Sequence, residues 1–114
     1  MINLKKQTAG RDILGTLAPE FAKLNDDVLF GSIWSRVDKL SARDRSLITI
    51  AALFSAGQFE QLRHHIALGR ENEISKEEIV EVVTQLAFYS GWPKAWSTFP
   101  IIKEVYEEKN RREK

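Results

Sequence analysis

Two side chains hold most of the chemistry this sequence offers, and both lie in apolar surroundings. Arg45 stands one helical turn before Thr49 in the stretch LSARDRSLITIAAL, residues 40–53. A guanidinium is charged at every accessible pH and is seldom buried without a partner. On such a face Arg45 meets either a structural acid or an anionic ligand. His64 and His65 are the chain's two histidines. Imidazole is the side chain whose ordinary proton affinity falls near neutral pH. Neighbours on a helix point about 100° apart, so the two rings serve different faces. His65 shares its stripe with Gln58 and Gln61, and is either a proton carrier in a site or a histidine satisfied at the surface or in the core. The pair is badly placed to chelate one metal, and no further His exists to join it. Gln85 and Tyr89, one turn apart, form a polar pair in another apolar stretch. Trp34 and Trp92 read as core, interface or pocket wall.

These residues need helices to position them. Ser41 is a helix N-cap, with Asp44 at the capping-box position. The helix that follows runs to about Ala56 and stops at Gly57. Its middle, LITIAALF, is apolar nearly all round, which predicts a place in the domain centre or in a subunit interface. The next helix, about residues 59–72, has a core stripe of Phe59, Leu62, Ile66 and Gly69. Ser75 and Glu78 form a second capping box. They open a helix whose apolar face is Ile79, Val82, Val83 and Leu86, widened by Val80, Ala87 and Phe88. Gly91 ends it, Trp92 lies in a tight turn, and Pro93 starts the last helix. There Trp96, Phe99, Ile102, Val105 and Tyr106 share one side, and Pro100 kinks the helix or sits in its first turns. Upstream, residues 1–7 are a loose start and 10–17 a short helix. Pro19 begins another helix, with Phe21, Leu24, Val28 and Leu29 repeating at helical spacing. Gly31 breaks it, and Phe30, Ile33, Trp34 and Val37 make a short apolar patch. The tail, 107–114, is charged and solvated.

Nothing alternates as strands do. The expected fold is therefore all-α: a single-domain helical bundle of five to six helices over residues 1–114. A net charge of +1 leaves no electrostatic footprint for nucleic acid or an anionic membrane. With no Cys, disulfides, thiolate metal sites and thiol redox cycles are excluded. The N-terminal residues lack the apolar core of a signal peptide, and the longest apolar run is too short to span a bilayer. A cytoplasmic protein is expected. Two nearly wholly apolar helices and three Trp are a heavy load for so small a domain, which predicts a homo-oligomer. Phosphate-binding loops, dinucleotide fingerprints and HExxH are absent.

Three stretches together resemble the carboxymuconolactone decarboxylase family, whose fold is shared with alkylhydroperoxidase D. They are LSARDRSLITIAAL (40–53), EQLRHHIAL (60–68) and LAFYSGWPKA (86–95). The helix start SKEEI (75–79) and the segment FGSIWSR (30–36) fit the same pattern, so the resemblance covers about residues 28–106. It implies that His65, not His64, occupies the family's active-site position. It also implies that Gln58 and Gln61 stand where the peroxidase branch has its CxxC thiols, that Ser46 stands where that branch has a Glu, and that Gln85 stands where the decarboxylase-like branch often has a His. Glu73 replaces a usual Gly.

The resemblance points to a cofactor-free lyase, or a related isomerase, acting on a small carboxylated lactone or cyclic acid. Loss of CO2 leaves an electron pair that spreads to the lactone carbonyl, so the substrate is its own electron sink. Such a site must hold an anion, stabilise oxyanion charge as it develops and return a proton to carbon. The implied roles are Arg45 for the anion or oxyanion and His65 for the proton. Gln58, Gln61, Thr49, Gln85 and Tyr89 would orient the ligand, and Trp34 and Trp92 would wall it. No metal or cofactor is expected; the partners are a small anionic substrate and further copies of the chain, as a trimer or hexamer. The alternatives are a non-catalytic ligand-binding or structural oligomer, and a peroxidase, disfavoured in a chain without Cys.

Overall fold

The computed structural model describes residues 6–113, with side chains over 6–107. The described residues contain helices and no strand. The all-α expectation holds. The chain divides into two compact units, Met1–Ala42 and Arg43–Lys114.

In the first unit, α1 (Ala9–Leu14) is followed by α2 (Pro19–Lys23). Pro19 occupies the first turn of α2, where its missing N–H costs nothing. α2 passes directly into a π-helix, Leu24–Ile33. The expected break at Gly31 does not occur. The wider helix continues past it, and the Trp34 amide donates to the Leu29 carbonyl five residues back at 2.9 Å. Phe30 and Trp34 stack with ring centroids 5.9 Å apart. The helically spaced Phe21, Leu24, Val28 and Leu29 are all exposed, whereas Ala22, Asp26 and Trp34 are buried.

Asp26 ties this unit together. A helix N-terminus leaves amides without intrahelical partners, and α1 has no side-chain cap of its own. The Asp26 carboxylate, shut off from solvent, accepts from the amides of Gly10 at 2.8 Å and Arg11 at 2.9 Å and from Asn25 Nδ2 at 3.0 Å. Burial alone would raise its pKa. The hydrogen bonds from Asn25, Arg11 and Gly10 outweigh burial and hold it below the ordinary 3.8. Replacing Asp26 with Ala strands one buried amide, that of Gly10, and one partly buried amide, that of Arg11. Hydrogen exchange of the Gly10 and Arg11 amides is therefore expected to accelerate, with Asp26→Asn intermediate. Unchanged exchange in Asp26→Ala would show that the tie is dispensable.

The second unit is built from α3 (Ala42–Ala56), α4 (Phe59–Glu71), α5 (Lys76–Ser90) and α6 (Trp92–Glu113). α3 is not buried all round. Ser46, Ile50 and Phe54 face inward at successive turns, whereas Ile48 is exposed. Gly57 closes the α3–α4 turn at φ 71°, and its amide donates to the Phe54 carbonyl at 3.0 Å. The inner stripe of α4 is Leu62, Ile66 and Gly69, as the spacing predicts. Glu73, in the α4–α5 connection, is the one non-glycine with positive φ among the described residues, at 72°. A side chain there is strained, which explains why Gly suits this position.

The Ser75–Glu78 capping box forms as predicted. The Glu78 amide donates to Ser75 Oγ at 3.1 Å, and the Ser75 amide donates to Glu78 Oε1 at 3.0 Å. Glu78 also pairs with Arg43 of α3. α5 and α4 both pack on α6, and the three share the core with Ile50 and Phe54. Tyr106 donates its hydroxyl to the Ile74 carbonyl at 2.6 Å, and burial pushes its pKa up to about 12. α6 differs from expectation in three ways. Trp92 is its first residue, not part of a preceding turn. Its buried stripe is Ala95, Thr98, Ile102 and Val105, while Trp96 and Phe99 face outward and Pro100 lies within the helix. Its backbone also stays helical through the charged segment to Glu113. Phe88 of α5 is likewise exposed rather than core.

Candidate active site

The α3–α4 hairpin carries Arg45, Thr49, Gln58, Gln61 and His65. Its alignment is set by two contacts. Asn72, at the end of α4, donates from Nδ2 to Ser46 Oγ at 3.0 Å in a buried position. Gly69 packs so closely that a Cβ there would lie 3.2 Å from Ile50 Cδ1 and 3.0 Å from Ile74 Cδ1. With Ser46 level with Asn72, the antiparallel hairpin sets Arg45 and His65 a little over two turns apart along its axis, roughly 12 Å at 1.5 Å per residue. Thr49 lies between those levels.

Arg45, Thr49 and His65 are half-buried, while Gln58, Gln61 and His64 are exposed. Burial lowers the pKa of His65 from the ordinary 6.5, and the charge of neighbouring His64 lowers it further. Nδ1 of His65 is enclosed and makes no hydrogen bond, although the residue is otherwise engaged. Its imidazole is therefore mostly neutral at pH 7 and takes up a proton only under more acidic conditions or beside an anion. Arg45 is likewise engaged with its surroundings.

The other candidates lie elsewhere. Gln85 and Tyr89 are exposed on α5, and Trp92 opens α6. Trp92 lines a groove of about 530 Å³ between α5 and α6, together with Thr84, Ala87, Ala95, Trp96, Phe99, Pro100 and Lys103. None of the α3–α4 candidates contributes to that groove. Trp34 belongs to the first unit and is buried there. The candidates thus separate into an α3–α4 group, an α5–α6 group and one residue in the first unit. Among the described residues no cluster of three or more His, Asp or Glu could hold a metal ion.

Sequence reasoning missed two polar links. One is the Ser46–Asn72 pair; Asn72 was legible only as a helix end. The other is Ser55 Oγ against Ser90 Oγ at 2.7 Å, which joins the ends of α3 and α5. Lys94 Nζ donates to the Ser90 carbonyl at 3.0 Å beside it. The first aligns the two helices of the hairpin that carries Arg45 and His65, and the second ties that hairpin to α5.

Residues 19–104 match the sequence profile of the Carboxymuconolactone decarboxylase family, well over half of the chain. The chain belongs to the carboxymuconolactone decarboxylase family. It is also 32% identical, over 79 residues, to a 4-carboxymuconolactone decarboxylase from Acinetobacter baylyi. That alignment covers 69% of this chain and 58% of the relative, so the chain corresponds to a little over half of the relative's length. The carboxymuconolactone decarboxylase match begins in the first unit at the start of α2 and ends within α6, so it takes in the whole α3–α4 hairpin. No helix among the described residues is long and apolar enough to cross a membrane.

Proposed function

We propose that the protein is a cofactor-free carboxy-lyase, or a related isomerase, for a small carboxylated lactone or cyclic acid. The observation that carries this reading is the half-buried, neutral-leaning imidazole of His65 on a hairpin that also bears Arg45, in a chain of the carboxymuconolactone decarboxylase family. In the proposed reaction the bond between the ring carbon and the carboxylate breaks, and CO2 leaves. The electron pair moves through the conjugated double bond to the lactone carbonyl oxygen. Arg45 holds the anion or the developing oxyanion, with a permanent charge and forked donors. His65, protonated beside the anionic substrate, returns a proton to carbon. Thr49 and Gln61 orient the ligand. The substrate is a small anion, the protein acts as a homo-oligomer in the cytoplasm, and neither nucleic acid nor membrane is a partner.

The test is a panel of lactones bearing a carboxylate conjugated with the lactone carbonyl, with CO2 release as the readout. At least one is expected to be turned over without added metal or coenzyme. A second reading, a ligand-binding or structural oligomer without turnover, is favoured by the exposure of Gln58, Gln61 and Gln85. Saturable lactone binding with no CO2 from any member would establish it over the first. Thiol peroxidase chemistry is disfavoured because the chain has no Cys.

A further inference from the structure

The α5–α6 groove is distinct from the α3–α4 candidates, and its surroundings are unusual for a protein face in water. Phe88 is 75% exposed, Trp96 72%, Trp92 55% and Phe99 36%. Phe88 and Trp92 meet edge to face at 5.6 Å, so the aromatic surface is continuous from α5 onto α6. On the usual scale for aromatic side chains these four leave roughly 500 Å² of apolar surface in water. Single soluble chains rarely carry a contiguous patch much beyond a few hundred Å².

We propose that a second copy of this chain covers this face in a twofold contact. This deepens the homo-oligomer reading above, and rests on it, by naming the surface. Three observations select the occupant. The first is area: the four aromatics, with Pro100 and the aliphatic stem of Lys103 beside them, approach the roughly 800 Å² that each partner gives to a standard protein interface. The second is shape. The face carries a hollow, lined by the small residues Ala87 and Ala95 and edged by the exposed Trp96, with the exposed ring of Phe88 beside it. Knobs and a hollow on one patch are what a twofold contact needs, because the same surface must complement itself.

The third is the shortage of polar handles for anything else. A small-molecule site buries most of its ligand and fixes it with convergent polar groups. Here the lining has no carboxylate, amide or imidazole: beside the Lys103 ammonium and the indole N–H groups of Trp92 and Trp96 it offers only Thr84, whose hydroxyl already donates to the Val80 carbonyl at 2.8 Å. A membrane surface would call for a belt of cations, and Lys103 is the one cation in the lining. A second copy needs neither. The contact places Trp92 in an interface rather than in the wall of a ligand site.

Sedimentation analysis of the full chain at micromolar concentration, beside Trp96→Glu and Phe88→Glu, tests the proposal. Both positions are exposed within the subunit, so the variants are expected to keep the far-ultraviolet circular dichroism of the wild type. The wild type is expected to be an even-numbered oligomer, and each variant to lose half or more of that mass. A monomeric wild type overturns both the oligomer reading and this face. An oligomer whose mass is unchanged in both folded variants, or one with an odd number of subunits, overturns the face alone. Stoichiometric binding of anilinonaphthalene sulfonate to the wild-type oligomer, abolished by Trp96→Glu, also overturns it, because the groove is then open to solvent.

Discussion

Replacing His65 with alanine is expected to lower CO2 release from a turned-over lactone by about two to four orders of magnitude, the usual range for losing a positioned proton donor. Helix content and assembly should be unchanged, because the ring is only half-buried and most of the core of α4 lies on the Leu62–Ile66–Gly69 stripe. The pH profile separates a proton donor from a packing residue. Burial, and then the charge of His64, depress the His65 pKa below 6.5. The donor form is the imidazolium, which in the free enzyme is populated only below that depressed value. The pH dependence of kcat/KM reports the free enzyme. It is therefore expected to fall as pH rises through a value under 6.5, and the limb should vanish in His65→Ala. His64→Ala removes one depressing charge and should move the limb upward. A limb that survives loss of His65 would falsify the assignment, and a limb of opposite sense would mark His65 as a base, the isomerase form of the reaction.

Truncating Phe54 to alanine is expected to cost about 3–5 kcal/mol of folding stability. Phe54 is fully buried and packs in the cluster shared by α3, α4, α5 and α6. Its removal takes away a large apolar surface and leaves a cavity that four helices cannot jointly close. Against a total of about 5–15 kcal/mol for an ordinary domain, that is enough to leave a substantial unfolded fraction on warming. Ile48, six residues earlier and on another face of the same helix, is 59% exposed, and Ile48→Ala is expected to stay within about 0.5 kcal/mol. Urea denaturation with unchanged slope measures both. Equal effects of the two substitutions would mean that α3 is buried on both sides in the assembled protein.

That contrast also shows where the sequence was readable. Local chemistry was legible: the Ser75–Glu78 box, the left-handed stop at Gly57 and the α4 stripe each depend on residues within a turn or two of one another. Tertiary choices were not. Trp96 and Phe99 fall at helical spacing on one side with Ile102, Val105 and Tyr106, which suggests one shared face. The helix instead buries Ala95 and Thr98. Thr98 can go inside because its hydroxyl donates to the Lys94 carbonyl at 2.8 Å, a bond that residue type does not announce. The π-helix was equally hidden, since Phe21, Leu24, Val28 and Leu29 fit a 3.6-residue period and the sequence does not reveal the wider turn. For the candidate site, the helices bearing Arg45 and His65 were predicted correctly, and their two-turn offset emerged only with the Ser46–Asn72 contact. The exposure of Gln85 and Tyr89 follows from how α5 packs on α6, which no spacing on α5 alone encodes.

The Ser46–Asn72 hydrogen bond has a consequence for precision. Apolar helices packed side by side can slide, since one methyl group grips much like another. Moving α4 by one turn against α3 would take the Asn72 amide from Ser46 Oγ and leave both polar groups enclosed, at a cost of about 1–3 kcal/mol for each. The pair thus acts as a detent: it makes one alignment of the hairpin far more populated than its neighbours. Ser46 and Asn72 thereby fix how the helix bearing His65 lies along the helix bearing Arg45.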